Sequence, residues 1–256
     1  PQLLSHGDVV WSEEPNHAEW TADGRLISKI RSFKAARLMD KSLFVYTGGR
    51  YGSQSPASPP ELRLAEAMAY NGNNLGMVGD VAPGGIQLAP AARNYIRFFK
   101  AHAADFAETR PVADVAVLHA FSSTEFLPAT ALPNTALFEQ TLIQTRLPFE
   151  IIFDQQLSAL SRYKVLVLAG QDALSDAQVA TIRRYVEQGG GLVITGPTAT
   201  RDESLRRRDR SALADLLTEG RRTLGKGRVV YIPEIQAQVP PPPRSEEHTS
   251  ELQSHL

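Results

Sequence analysis

Two adjacent carboxylates, Glu13 and Glu14, are the residues of this sequence best suited to catalysis. They follow the apolar run from Asp8 to Trp11 and precede Pro15, which predicts a loop at the end of a strand. A carboxylate in that position can act as a general acid, a general base or a nucleophile. Adjacent side chains rarely point into one site, so we expect at most one of the two to be catalytic. The alternative is a solvated loop with a charged turn.

Side chains suited to binding a hydroxylated ligand lie near these carboxylates and at two other predicted strand ends. Aromatic faces pack on C–H surfaces, and Asn and His side chains hydrogen-bond hydroxyl groups. The candidate binding residues are Trp11, Asn16, His17, Tyr46, Arg50 and Asp80. Trp11 is equally suited to a core position and Asp80 to a cap. The Gly-rich segment around Arg50 fits a flexible loop, with an anion-binding loop as the alternative.

The first half of the chain alternates short apolar runs with segments of helical periodicity. The predicted strands are 8–11, 42–46 and 74–79, and the predicted helices are 25–39, 61–69 and 91–108. Successive strand–helix units imply parallel strands, because each helix carries the chain back to the start of the next strand. The carboxyl ends of those strands then share one edge, where α/β enzymes place their sites.

The same alternation continues after Pro111 with more apolar strands. Strands are predicted at 112–121, 149–153, 164–169, 192–195 and 228–232, and helices at 135–145 and 176–188. Ser175 is the predicted N-cap of the second helix, and three glycines at 189–191 end it. Five parallel strands with intervening helices predict a small doubly wound domain.

Composition excludes several classes of function. The 256 residues carry 27 Lys and Arg against 28 Asp and Glu, so no overall field attracts nucleic acid or an anionic membrane. No apolar run is long enough for a transmembrane helix. The cysteine count is zero, which excludes disulfides, thiolate metal sites and a cysteine nucleophile in this chain. Glu14 and His17 have no evident third ligand, so we predict no metal and no cofactor.

A basic run and the last seventeen residues have simple interpretations. The basic run Arg206–Arg210 fits a solvated face, with a subunit contact as the alternative. Residues 240–243 are four prolines, and residues 244–256 resemble the in-frame translation of a sequencing adapter, so residues 240–256 are set apart from the fold.

The second half resembles the β-galactosidase trimerisation domain, a class I glutamine amidotransferase-like fold. The resemblance covers roughly residues 111–235 and is carried by the segments 160–168, 174–178, 182–191 and 225–233. In glycoside hydrolase family 42 this domain follows a (β/α)8 barrel. The resemblance therefore implies that residues 1–110 form the last three strand–helix units of a TIM barrel and residues 111–239 the trimerisation domain.

The resemblance implies a glycosidase acting on O-glycosidic bonds of a β-galactoside-like substrate, with the second domain building a homo-oligomer. Retaining members use two carboxylates about 5 Å apart. The family shows a glutamate after barrel strand seven, where this sequence has Tyr46-Thr47-Gly48-Gly49. The strand-four segment with the acid/base is not in this chain, so we expect the chain alone to be inactive. A non-catalytic sugar-binding or assembly module with a degenerate barrel site is the alternative.

Overall fold

The computed structural model describes residues 9–12, 19–20, 26–27, 30–46, 65–66, 68–69, 75–78, 81–82, 85–86, 90–107 and 109–233. These residues belong to two compact units, one made of residues 1–116 with 143–152 and the other of residues 117–142 with 153–256. No helix among them is both long and apolar enough to cross a membrane. The predicted division of the chain after residue 110 stays a prediction.

The first unit contains a three-stranded parallel sheet. The described strands of this part of the chain are β1 (Val9–Ser12), β2 (Glu19–Trp20), β3 (Leu26–Ile27), β4 (Ser42–Tyr46), β5 (Leu75–Val78), β6 (Val81–Ala82) and β7 (Gly85–Ile86). The sheet order is β1-β4-β5, and both pairings are parallel, as the strand–helix alternation predicts. Strands β2–β3 and β6–β7 form two small antiparallel pairs.

In the first half of the chain, described helices follow β3 and β7. Helix α1 (Ile30–Leu38) buries Ile30, Phe33 and Ala36 on one face. The segment predicted as one helix over 91–108 consists of α2 (Pro90–Ala101) and α3 (Ala103–Ala107). The break falls at His102, whose Nδ1 lies 3.0 Å from the Asp105 carboxylate.

A six-stranded sheet forms the centre of the second half. Its strands are β8 (Val115–Leu118), β9 (Phe149–Ile152), β10 (Val165–Ala169), β11 (Gly191–Thr195), β12 (Gly220–Leu224) and β13 (Gly227–Ile232), in the order β12-β13-β11-β10-β8-β9. Strands β10, β11 and β13 pair in parallel, whereas β12 is antiparallel to β13. The expectation of five parallel strands missed β12. That strand is a run of exposed residues including Arg221 and Arg222, with no apolar alternation to reveal it.

The helices around this sheet differ from the prediction at the carboxyl end of β8. They are α4 (Phe121–Phe126), α5 (Pro128–Gln144), a 3-10 helix (Asp154–Arg162) and α6 (Asp176–Glu187). The strand predicted over 112–121 covers only Val115–Leu118, because the chain turns into α4 at Phe121. The helix predicted from residue 135 begins at Pro128, a residue favoured in the first turn.

The boundaries of α6 follow the prediction. Ser175 Oγ accepts a hydrogen bond from the Gln178 N–H at 3.2 Å, and Gln178 Oε1 accepts one from the Ser175 N–H at 2.7 Å, which forms a capping box. At the other end Gly189 adopts a left-handed φ of 121°. A Cβ at Gly190 would lie 2.3 Å from the Tyr185 ring, so only glycine fits there.

Candidate functional site

The carboxyl ends of β1, β4 and β5 lie at one edge of the three-stranded sheet. Ser12, the last residue of β1, is level with Val45, and Tyr46, the last residue of β4, is level with Val78. The three strands therefore end within one residue of one another along the sheet. This is the edge at which the sequence predicts a site.

Two of the predicted site residues lie on the strands that end at this edge. Trp11 is a residue of β1, level with Phe44, and Tyr46 ends β4. The other candidates lie outside the described residues: Glu13, Glu14, Asn16, His17, Arg50 and Asp80. In chain order, they follow β1, β4 and β5. Their catalytic and binding roles stay predictions.

The carboxyl edge of the six-stranded sheet carries a second set of polar residues, in the turn after β10. Gln171 is completely buried there. Its Oε1 accepts a hydrogen bond from the Ala120 N–H at 2.9 Å, and its Nε2 donates one to the Ala169 carbonyl at 2.9 Å. This side chain fastens the turn after β10 to the end of β8, and its hydrogen-bonding groups are used within the protein.

The side chains of Ser123 and Asp172 are also hydrogen-bonded to other groups of the protein. Ser123 Oγ donates to the Ala173 carbonyl and accepts from the Ala173 N–H, both at 2.9 Å. The Asp172 carboxylate accepts hydrogen bonds from the Thr200 hydroxyl and from Arg201 Nε. Nucleophilic catalysis at such a turn would need a nucleophile that is not bound to the protein. Here the turn has no cysteine, and its polar groups bind the protein's own chain.

A buried His–Glu pair lies beside this edge. His119 Nε2 is 2.8 Å from Glu139 Oε1, and the His119 ring meets the Phe153 ring edge-on, with centroids 6.1 Å apart. His119 is 6% exposed and Glu139 4%. The pair joins the end of β8 to α5, and a buried ionisable group without such a partner is costly. Sequence reasoning missed it, although Glu139 shares the buried face of α5 with Ala131, Thr135 and Leu142, a stripe that is otherwise free of charge.

Asp154 follows β9 at the same edge. Its Oδ2 accepts a hydrogen bond from the Phe121 N–H at 3.2 Å. Burial raises the pKa of this carboxyl above its ordinary value, and the hydrogen bonds from the Phe121 N–H and the Gln178 side chain oppose that rise. A raised pKa is compatible with an acid role, but the carboxylate is already bound to the first residue of α4. We therefore assign it to the fold.

A second buried pair, between α1 and β9, was also missed from the sequence. Lys34 Nζ lies 2.6 Å from Glu150 Oε1 and donates to the Phe149 carbonyl at 2.6 Å. The ammonium is also 5.1 Å from the centroid of the Phe149 ring. Both charged side chains are almost fully buried. Buried charges of this kind are retained only when paired, so the contact holds α1 against β9.

Within the part of the chain that the structure describes, no group of three or more His, Asp or Glu side chains is arranged to hold a metal ion.

The fold is similar to that of several solved glycosidases. The chain superimposes on the β-galactosidase from Bacillus circulans sp. alkalophilus with a TM-score of 0.65, 13% identity, and coverage of 79% of this chain and 44% of that one. For the β-galactosidase from the psychrophilic Marinomonas ef1 the TM-score is 0.58, with 15% identity over 73% of this chain and 34% of that one. For α-L-fucosidase isoenzyme 2 from Paenibacillus thiaminolyticus the TM-score is 0.54, with 20% identity over 78% and 32%.

No protein-family model matches the sequence, and no curated protein matches it either. The chain spans less than half the length of each of the three solved structures it resembles. At these identities the likeness is one of fold. It confirms the predicted fold class: a mixed α/β chain with a mostly parallel six-stranded sheet, consistent with part of a (β/α)8 barrel and an α/β domain as in the β-galactosidases.

Proposed function

We propose that this chain is part of a glycoside hydrolase, and that the whole protein hydrolyses O-glycosidic bonds of a β-galactoside-like carbohydrate. The observation that carries the proposal is the fold likeness to a β-galactosidase over 79% of the chain. The parallel register of β1, β4 and β5 supports it, because it directs the loops that follow those strands to one edge of the sheet.

The proposed catalytic carboxylate is Glu13 or Glu14, which follow β1. Glycosidases work with a pair of carboxylates, one to protonate the leaving oxygen and one to attack the sugar or activate water. In this chain the segment after β4 has no glutamate between Tyr46 and Gly52, so the carboxylate has to come from another strand end. Trp11, Asn16, His17, Tyr46, Arg50 and Asp80 are the proposed contacts to substrate.

The second domain is proposed to serve assembly of the protein. Its sheet edge could hold a second active site, but Gln171, Ser123 and Asp172 are all bonded to neighbouring protein groups. Glutaminase chemistry would also require a cysteine, and the chain has none. A turn whose polar side chains are bonded to the protein itself is better explained as a structural part, so assembly is the role proposed for this domain.

The test uses the whole protein with nitrophenyl glycosides as substrates. We expect Glu13→Gln or Glu14→Gln, but not both, to lower kcat by about 10²–10⁴-fold, the range for loss of a general acid or base. Glu219→Gln, an exposed glutamate before β12, is the matched control and should leave kcat unchanged. If both Glu13→Gln and Glu14→Gln retain wild-type kcat, the assignment of the catalytic carboxylate is wrong.

A non-catalytic sugar-binding or assembly module is the second candidate, favoured by the sequence Tyr46-Thr47-Gly48-Gly49 where the family would hold a glutamate. In that case the whole protein should bind galactosides, detected by saturation-transfer NMR, and should not hydrolyse them. For the 256-residue chain by itself we expect no turnover, and hydrolysis of nitrophenyl galactoside by this chain would contradict that expectation.

A further inference from the structure

The outermost strand of the six-stranded sheet carries an exposed cluster of positive charge. Strand β12 stands at the end of the sheet order and pairs with β13. Residues 220–232 form β12, a turn and β13, and we call them the basic hairpin because they contain four basic residues and no acidic one. The four are Arg221, Arg222, Lys226 and Arg228, and all are exposed. Charge of a single sign on one surface selects a partner of the opposite sign.

The charges of the basic hairpin are not used to hold the fold together. Elsewhere in the same compact unit, Arg183 pairs with Asp215 and Arg208 with Asp176. Within the described part of the chain, by contrast, no basic side chain of the hairpin forms an ion pair or a hydrogen bond. Contacts inside the fold therefore do not account for this cluster.

The strand register places arginines on both faces of the sheet edge. Successive side chains of a strand point to opposite faces, and directly paired residues share a face. Thr223 is paired with Arg228, and Arg221 lies two residues before Thr223, so these three belong to one face. Arg222 belongs to the opposite face, with its partner Val229. Positive charge therefore flanks the edge of β12 above and below the sheet.

The edge of β12 also offers backbone hydrogen-bonding groups. On the side away from β13, none of the described strands pairs with β12. An edge strand leaves a row of N–H and C=O groups open, and an extended peptide can bind by adding a strand to such an edge. The side chains of an added strand would lie alternately beside Arg221 and Arg222. Two neighbouring acidic residues of that strand would each meet an arginine, one on either face.

Other classes of partner use only some of these features. A second copy of β12 would bring arginine against arginine, so the charge keeps like edges apart. Single-stranded nucleic acid binds where bases stack on aromatic rings. The hairpin face that carries Arg221 has no aromatic residue, since its members are Arg221, Thr223, Arg228, Val230 and Ile232. A sulfated or uronate glycan would meet the charges but has no backbone that pairs with a strand.

We propose that the edge of β12 is a docking site for an acidic, extended segment of a partner protein, which joins the sheet as an added strand. Backbone hydrogen bonds to β12 supply affinity, and the arginines on the two faces select acidic side chains. The site does not depend on the proposed glycosidase activity, so its test needs no turnover.

The test titrates the 256-residue chain with a short synthetic peptide in which two adjacent glutamates stand between valines and threonines. We expect saturable binding by calorimetry and slower hydrogen–deuterium exchange of the β12 amides. Arg221→Glu with Arg222→Glu should raise Kd about ten-fold or more. Arg206→Glu with Arg207→Glu makes the same change of charge on exposed residues outside the hairpin and should leave Kd unchanged. Circular dichroism checks that each variant folds.

A peptide of the same sequence with N-methylated backbone amides separates strand addition from simple charge attraction. It keeps both glutamates but loses backbone donors, so it should bind about ten-fold more weakly or worse. Equal binding of the two peptides, or equal binding of heparin through the same arginines, would overturn strand addition in favour of a general polyanion surface. No binding of the unmodified peptide, or wild-type affinity in Arg221→Glu with Arg222→Glu, would overturn the docking site itself.

Discussion

Replacing Gln171 separates a structural role of the second domain from a catalytic one. Gln171→Leu removes the acceptor of the Ala120 N–H and the donor to the Ala169 carbonyl, both at 2.9 Å in a completely buried position. Each buried polar group left without a partner costs about 1–3 kcal/mol. The free energy of unfolding of this domain should therefore fall by about 2–6 kcal/mol. Leucine nearly matches the volume of glutamine, so the loss measures hydrogen bonding rather than a cavity.

The assay is urea denaturation followed by circular dichroism, with Gln188→Leu as the control. Gln188 is exposed after α6, so the same substitution there should change the free energy of unfolding by less than about 0.5 kcal/mol. In the whole protein, kcat per folded molecule should be unchanged by Gln171→Leu. Wild-type stability of Gln171→Leu would refute the hydrogen-bond reasoning, and a loss of kcat in fully folded protein would refute the structural assignment.

Three further predictions concern a buried ion pair, a buried carboxyl group and a glycine with a left-handed φ. Lys34→Met leaves the Glu150 carboxylate buried without its ammonium, so the free energy of unfolding measured by urea denaturation should fall by about 3–5 kcal/mol. Lys34→Met with Glu150→Met should recover most of that loss. Equal losses in the single and double variants would contradict the pairing. Burial holds the Asp154 pKa above its unfolded value, so its contribution to stability is highest below the unfolded pKa and falls as pH rises through the folded pKa. Asp154→Asn should flatten that fall in a series of denaturation curves from pH 3 to pH 7, and an unchanged slope would show that another group is responsible. Gly170→Ala and Gly196→Ala both place a Cβ on a residue with a left-handed φ, but only at Gly170 would that Cβ lie 2.7 Å from a backbone carbonyl oxygen. Gly170→Ala should therefore lower the melting temperature more than Gly196→Ala. Equal effects of the two substitutions would exclude the clash.

Local chemistry was readable from the sequence where one residue type decides the outcome. Ser175 with Gln178 forms the predicted capping box, and the glycines at 189–191 end α6 as expected. The apolar run at 164–169 is a buried strand, β10, because a sequence with no polar alternation is stable only when both faces of its sheet are covered. The parallel pairing of β1, β4 and β5 also follows from sequence order, since a helix must return the chain before the next strand begins.

Contacts between distant segments were not readable in this way. Lys34 and Glu150 are separated by 116 positions and His119 and Glu139 by 20, and nothing in their local sequence marks them as partners. Strand β12 is exposed and rich in arginine, so it lacks the pattern that would predict it and exists through its pairing with β13.

The sequence by itself determined the α/β class, the caps and ends of α6, and the absence of thiol chemistry, because these depend on residue type and short-range order. Only the tertiary structure decided whether the polar residues at the carboxyl edge of the six-stranded sheet are structural or catalytic. Gln171, Ser123 and Asp172 stand where a catalytic turn could stand, and their bonds to Ala120, Ala173 and Arg201 assign them to the fold. It also showed that part of the basic run is bound to the fold, because Arg208 Nη1 lies 2.6 Å from Asp176 Oδ1 and Arg208 Nη2 donates to the Leu174 carbonyl. The physical reason is the same in each case: whether a polar side chain is free or bound depends on which distant segment the fold brings within hydrogen-bond distance.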